Sequence, residues 1–138
     1  MSFAWVALTN VAIRSSQSTA NNNNVVGRKQ IGEIFTSARD RVQSDPWNTR
    51  IWWIGIGTNR WVNQQFNDGV NALRITADNR TRRARTSTIV RQGPSLSNAP
   101  VGNISVNQNV VTTHRVNRNG IIWVRIGARR WIHEAIFG

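Results

Sequence analysis

The stretch Ile121-Ile122-Trp123-Val124-Arg125-Ile126-Gly127-Ala128-Arg129-Arg130-Trp131-Ile132-His133 decides the reading, because the chain contains it twice. The earlier copy is Ile51-Trp52-Trp53-Ile54-Gly55-Ile56-Gly57-Thr58-Asn59-Arg60-Trp61-Val62-Asn63. Trp53 and Trp123, Ile56 and Ile126, Gly57 and Gly127, Arg60 and Arg130, and Trp61 and Trp131 all stand 70 residues apart. Two tryptophans, a glycine and an arginine rarely fall in one register twice by chance, so the rest of the chain is read as an internal repeat.

Each copy has the pattern of a β-hairpin. Apolar residues alternate at Trp52, Ile54 and Ile56, and again at Ile122, Val124 and Ile126, the period of a half-buried strand. A glycine-led turn follows at Gly57 and Gly127, and a second strand begins at Trp61 and Trp131. The opposite face carries Trp53 and Gly55 in one copy and Trp123 and Arg125 in the other. An arginine there predicts a wet face that keeps its indole in both copies.

Working outward, the repeat divides the 138 residues into two small domains, residues 1–68 and 69–138. Residues 3–14 read as one or two strands rather than a signal peptide, since the apolar start is short and lacks a basic lead. Thr88-Ile89-Val90-Arg91 parallels Val11-Ala12-Ile13-Arg14, and Val101-Gly102 parallels Val26-Gly27 across a loop two residues shorter. Asp45-Pro46-Trp47-Asn48 and Phe66-Asn67-Asp68-Gly69 have turn composition, and Asn119-Gly120 is a type I′ hairpin signal. The run Asn79-Arg80-Thr81-Arg82-Arg83-Ala84-Arg85 reads as a solvated loop or a charged edge strand. No helical stripe of useful length occurs. The fold expected is all-β, two tandem small SH3-like β-barrels.

These motifs resemble bacterial SH3 domains, often written SH3b. The second unit matches through Ile89-Val90-Arg91-Gln92-Gly93-Pro94-Ser95, Val101-Gly102, Trp123-Val124-Arg125-Ile126 and Arg130-Trp131-Ile132. The first is looser, with Ser16-Gln17 where Gly-Pro is usual, and Arg60 and Arg130 replace the customary glycine before the second tryptophan. The resemblance covers nearly the whole chain. It implies a small β-barrel that binds bacterial cell wall, as in the targeting ends of phage endolysins and peptidoglycan hydrolases. The expected location is therefore extracellular, at the wall.

Composition narrows the chemistry independently. The net charge is +12, Lys29 is the only lysine among 18 basic residues, and cysteine is absent. An anionic partner surface follows: nucleic acid, anionic lipid or an acidic cell-wall polymer. The resemblance implies peptidoglycan or an anionic wall polymer, with single-stranded nucleic acid as the rival. Two histidines and six carboxylates in unrelated positions offer no zincin motif and no paired acids, so a non-catalytic protein without metal or cofactor is expected. The resemblance implies an attached or associated lysin catalytic domain as a partner. No apolar run is long enough for a membrane helix. Indole faces stack on sugars and guanidinium forks grip carboxylate or phosphate. The candidate binding residues are Trp47, Trp53, Arg60, Trp61, Asn63, Trp123, Arg125, Arg130, Trp131 and His133. Trp53 and Trp123 are expected in a groove or on the surface. Trp61 and Trp131 suit core or groove alike, and Trp52 is expected in the core.

Overall fold

The computed structural model describes residues 2–43 and 47–138. It is all-β, with fourteen strands and one short 3-10 helix, Glu134–Phe137, among the described residues. The strands are β1 (Phe3–Ala7), β2 (Val11–Arg14), β3 (Val25–Lys29), β4 (Ile34–Ser37), β5 (Val42–Gln43), β6 (Ile51–Gly57), β7 (Arg60–Phe66), β8 (Gly69–Val70), β9 (Ala72–Arg83), β10 (Thr88–Arg91), β11 (Pro100–Ile104), β12 (Asn109–Arg118), β13 (Ile121–Gly127) and β14 (Arg130–His133). The chain divides into two compact units, Met1–Arg74 and Ile75–Gly138, and β9 crosses the division. Residues 69–74 belong with the first unit because the chain folds back there. The Asn71 amide donates to the Gln64 carbonyl at 2.8 Å, and the Asn71 carbonyl accepts from the Leu8 amide at 2.8 Å.

In the first unit the strands lie in the order β3-β2-β7-β6-β5, with β8 also on β7, while β1 pairs with β4. In the second the order is β11-β10-β14-β13-β12-β9. The duplication read from the hairpins is visible strand by strand. Ile54 pairs with Val62, Gly55 with Trp61 and Gly57 with Arg60. Val124 pairs with Ile132, Arg125 with Trp131 and Gly127 with Arg130. Both ladders skip one residue at the same place, Ile56 and Ile126, which is a β-bulge. The turn residues Asn59 and Arg129 both adopt left-handed φ, 51° and 53°.

The correspondence continues where side chains differ. Against β3 and β11, the ladders shift between Ile13 and Arg14 and between Val90 and Arg91. Arg14 then lies opposite Trp61, and Arg91 opposite Trp131. The amides of the sealed alanines Ala7 and Ala84 donate to the Glu33 and Gln108 carbonyls, and their own carbonyls accept from Gly32 and Asn107. Gly32 and Asn107 share positive φ, 83° and 70°. Backbone pairing thus repeats through most of each unit, while few side chains do.

Each unit has its own apolar core. Trp5, Ala7, Val11, Phe35, Ile54, Val62 and Ala72 form the first, and Ala84, Val90, Ile104, Val110, Val124, Ile132 and Ile136 the second. The Trp5 indole donates to Ser37 Oγ at 2.9 Å, so its polar atom is satisfied inside.

Two turn expectations hold. Asn119 and Gly120 have φ of 54° and 86° between the paired residues Arg118 and Ile121, a type I′ hairpin. Asn67 has φ of 55° between paired Phe66 and Gly69. For Asp45-Pro46-Trp47-Asn48, Asp45 and Pro46 lie outside the described residues. The run 79–83 is strand, its Thr81, Arg82 and Arg83 in register with Val111, Val110 and Asn109 of β12.

The expected wet face is corrected. Trp53 and Trp123 are both only 2% exposed, and Trp52 is the half-buried one, under the Arg41 guanidinium at 4.0 Å. Direct cross-strand partners share a face. Trp53 has Val42 and Asn63 on either side, and Trp123 has Val116 and His133. Trp53 and Ile54, and likewise Trp123 and Val124, are successive residues on opposite faces and all are buried, so both faces of the strand are covered there.

Candidate functional site

Each unit opens a groove beside its second strand. In the second unit a cavity of about 560 Å³ is lined by Ser87, Thr88, Ile89, Arg91, Leu96, Asn103, Ile104, Ser105, Trp123, His133 and Ile136. In the first, a cavity of about 290 Å³ is lined by Asn10, Val11, Ala12, Arg14, Thr19, Asn63, Phe66 and Asn71. Seven positions correspond. Asn10, Val11, Ala12, Arg14 and Thr19 precede Ser87, Thr88, Ile89, Arg91 and Leu96 by 77 residues, and Asn63 and Phe66 precede His133 and Ile136 by 70. The groove therefore belongs to the repeated fold.

One arginine per groove shapes its rim. Arg14 Nη1 donates to the Asn21 carbonyl at 2.8 Å and to Asn24 Oδ1 at 2.8 Å. Arg91 Nη1 donates to the Asn98 carbonyl, 77 positions after Asn21, at 3.0 Å. Each guanidinium braces the loop that carries Thr19 or Leu96. Since a guanidinium has about five N–H donors, others remain for a ligand.

The far wall differs between units. The Asn63 amide is committed internally: its Nδ2 donates to the Trp52 and Gln65 carbonyls, and its Oδ1 accepts from Asn71 Nδ2 at 3.2 Å. His133 stands edge-on to Trp123, ring centroids 4.7 Å apart at 87°, and its buried Nε2 has no partner among the described residues. Among the described residues no carboxylate lines either groove. Mixed apolar and polar walls with one guanidinium, and with amides in both grooves and an imidazole in the second, suit holding a short anionic or amide-bearing chain. Among the described residues no three His, Asp or Glu side chains converge as metal ligands, and no helix is long and apolar enough to cross a membrane.

The candidate residues do not form one set. Trp123, His133 and Asn63 border grooves, the indole of Trp123 as floor rather than as an exposed platform. Trp53 and Trp131 are buried, at 2% and 0% exposure, and line neither groove. Sequence alternation marks two faces but not what covers the second, and that is why Trp53 and Trp123 were expected outside. Trp61 is half-buried over Gly55, where an added Cβ would come within 3.2 Å of its ring. Trp47 is 92% exposed. Arg60 is exposed with Nη1 on the Asn59 carbonyl, and Arg130 lies over Gly102, 3.1 Å from a Cβ placed there. Arg125 is half-buried, its Nη1 donating to Thr113 Oγ1 at 3.1 Å. Arg14, Arg91, Thr19 and Leu96 were absent from the candidate set. Their signal was the second offset of the repeat, which aligns Arg14 with Arg91.

Near Arg125, His114 accepts or donates at Nδ1 with Thr113 Oγ1, 3.1 Å away. Burial, and secondarily the Arg125 charge, hold its imidazole below the ordinary value of 6.5. The unfolded chain thus binds the proton more readily than the folded one. The stabilisation is complete above pH 6.5 and declines as the pH falls below it, levelling off beneath the folded-state value. Urea midpoints measured from pH 7.5 to 5 should fall in the wild type and fall less in His114→Asn. Equal slopes would assign the acid sensitivity to another group.

The sequence matches no protein-family model and none of the curated proteins with which it was compared.

Proposed function

We propose that this chain is a non-catalytic module that binds bacterial cell wall, each unit a small SH3-like barrel offering one groove to peptidoglycan or an anionic wall polymer. The observation that carries this reading is the groove itself. It recurs in both units, on corresponding positions, with the same braced arginine and different surrounding side chains. A twice-used concave surface without carboxylates suits a repetitive polymer better than a single turnover site. The SH3b resemblance of the hairpin motifs points to the wall as that polymer, with an attached or associated lysin catalytic domain as the natural companion. The net charge of +12 would assist encounter with anionic walls at low salt.

Co-sedimentation with purified Gram-positive walls at low salt should deplete the protein from the supernatant. A parallel band shift with single-stranded DNA at physiological salt addresses the rival partner. No retention on any wall preparation, together with tight DNA binding and a steep salt slope, would overturn the wall reading in favour of nucleic acid.

A further inference from the structure

The two units are unequally charged. The second carries ten arginines against Asp78 and Glu134, a net +8; the first has eight basic groups against four acids, a net +4. Both acids of the second unit are engaged internally. Asp78 meets Arg80 at 2.7 Å and Arg115 at 3.9 Å, and Glu134 meets Arg82 at 3.1 Å and Arg115 at 3.2 Å. Arg83 and Arg85 are exposed and have no side-chain ion-pair partner among the described residues.

Those two arginines, with Arg82, Asn107 and Phe137, line a cleft of about 430 Å³. The repeat supplies an internal comparison. Arg82, Arg83 and Arg85 stand 77 residues after Trp5, Val6 and Leu8, which are buried at 1%, 0% and 8% exposure. The same strand pairing supports both sets: Trp5 lies opposite Phe35 and Arg82 opposite Val110. The fold therefore does not require arginine at these positions, since the first unit uses apolar side chains there. Two arginines without an ion-pair partner, Arg83 and Arg85, stand beside the Glu134-paired Arg82, and among the described residues no carboxylate lines the cleft.

We infer that this cleft is a second binding site, separate from the grooves, for a chain of phosphodiesters. Guanidinium forks match phosphate oxygens, and the Asn107 amide adds a neutral donor. A single-stranded nucleic acid would also call for an aromatic platform. The one aromatic here, Phe137, has the Arg82 guanidinium over its ring at 4.3 Å. The cleft thus offers charge without base stacking, which favours a polyol-phosphate polymer over a nucleic acid. Its identity as a wall component rests on the function proposed above; phosphate recognition by the cleft does not.

The test titrates the full chain with a poly(glycerol phosphate) oligomer and with a single-stranded oligonucleotide of equal phosphate number, at several salt concentrations. Arg83→Gln/Arg85→Gln is compared with the charge-matched Arg28→Gln/Arg39→Gln in the first unit. Both pairs are exposed, so folding is retained in each. For the glycerol phosphate oligomer, the slope of log affinity against log salt should fall by roughly two in the cleft variant, about one per arginine, and little in the control. Equal losses in both variants would show a diffuse field and no site. An unchanged cleft variant would overturn the site as well. Cleft-dependent binding that is tighter for the oligonucleotide would overturn the polymer assignment. Retention on phosphate-free peptidoglycan, which the grooves would govern, separates failure of the wall reading from failure of this one.

Discussion

Trp131→Ala should cost about 3–5 kcal/mol, the range for removing a large buried aromatic, and should lower the denaturation midpoint of the chain rather than act only on binding. Trp131 is 0% exposed. It lies directly opposite Arg125 on β13 and Arg91 on β10, so side chains on both neighbouring strands share its face. The duplicated position behaves differently. Trp61 faces Gly55, which has no side chain, and is left half-buried. In the second unit the Arg125 stem stands where the first has only hydrogen, and a methylene stem covers apolar surface while its head stays polar. Trp61→Ala should therefore cost clearly less, since less of its ring leaves water on folding. Guanidinium titrations followed by far-UV circular dichroism measure both. Since a small domain is stable by only about 5–15 kcal/mol in all, the difference between the two substitutions is readable. Should Trp131→Ala keep its midpoint and lose only wall retention, the indole belongs to the ligand surface and its assignment to the core is wrong.

The same pair of positions shows what sequence could and could not convey. The spacing of 70 between hairpins, the second spacing that aligns Arg14 with Arg91, and the Asn119-Gly120 turn all rest on residue identity or local backbone chemistry, and each is found in the strand pairing. Burial of Trp53 and Trp123 depends instead on what neighbouring strands place beside them, Val42 and Asn63 in one unit, Val116 and His133 in the other. Nothing local to the hairpin encodes that. The arginine cleft was equally hidden. As a run of charges, residues 79–85 read as a solvated loop or a charged edge strand, neither of which marks a cleft. Arg82, Arg83 and Arg85 share no side chain with Trp5, Val6 and Leu8, and their equivalence emerges from the strand pairing and from the matched amide bonds of Ala7 and Ala84. Repeats whose side chains have diverged remain recognisable in bulges and positive-φ sites, because these are set by backbone geometry.

If both grooves engage wall together, their losses should be strongly unequal between single and double variants. Thr19 and Leu96 occupy corresponding rims, and both are exposed, so Thr19→Glu and Leu96→Glu place a carboxylate at each groove without disturbing either core. Like charge at a rim repels an anionic ligand and leaves folding intact. Two linked sites gain on the order of a hundredfold over one, so either single variant should forfeit that avidity and retain weak, single-site binding. With one site already lost, the double variant should show no measurable retention in the same pelleting assay. The larger second groove, about 560 Å³ against 290 Å³, makes Leu96→Glu the more damaging of the singles. Three results are decisive. Loss in the Leu96→Glu single equal to that in the double would mean that only the second unit binds. Unchanged retention in the double would remove the grooves from the mechanism altogether. A stepwise loss, large at the first substitution and complete at the second, would show that the fold was duplicated for bivalent grip.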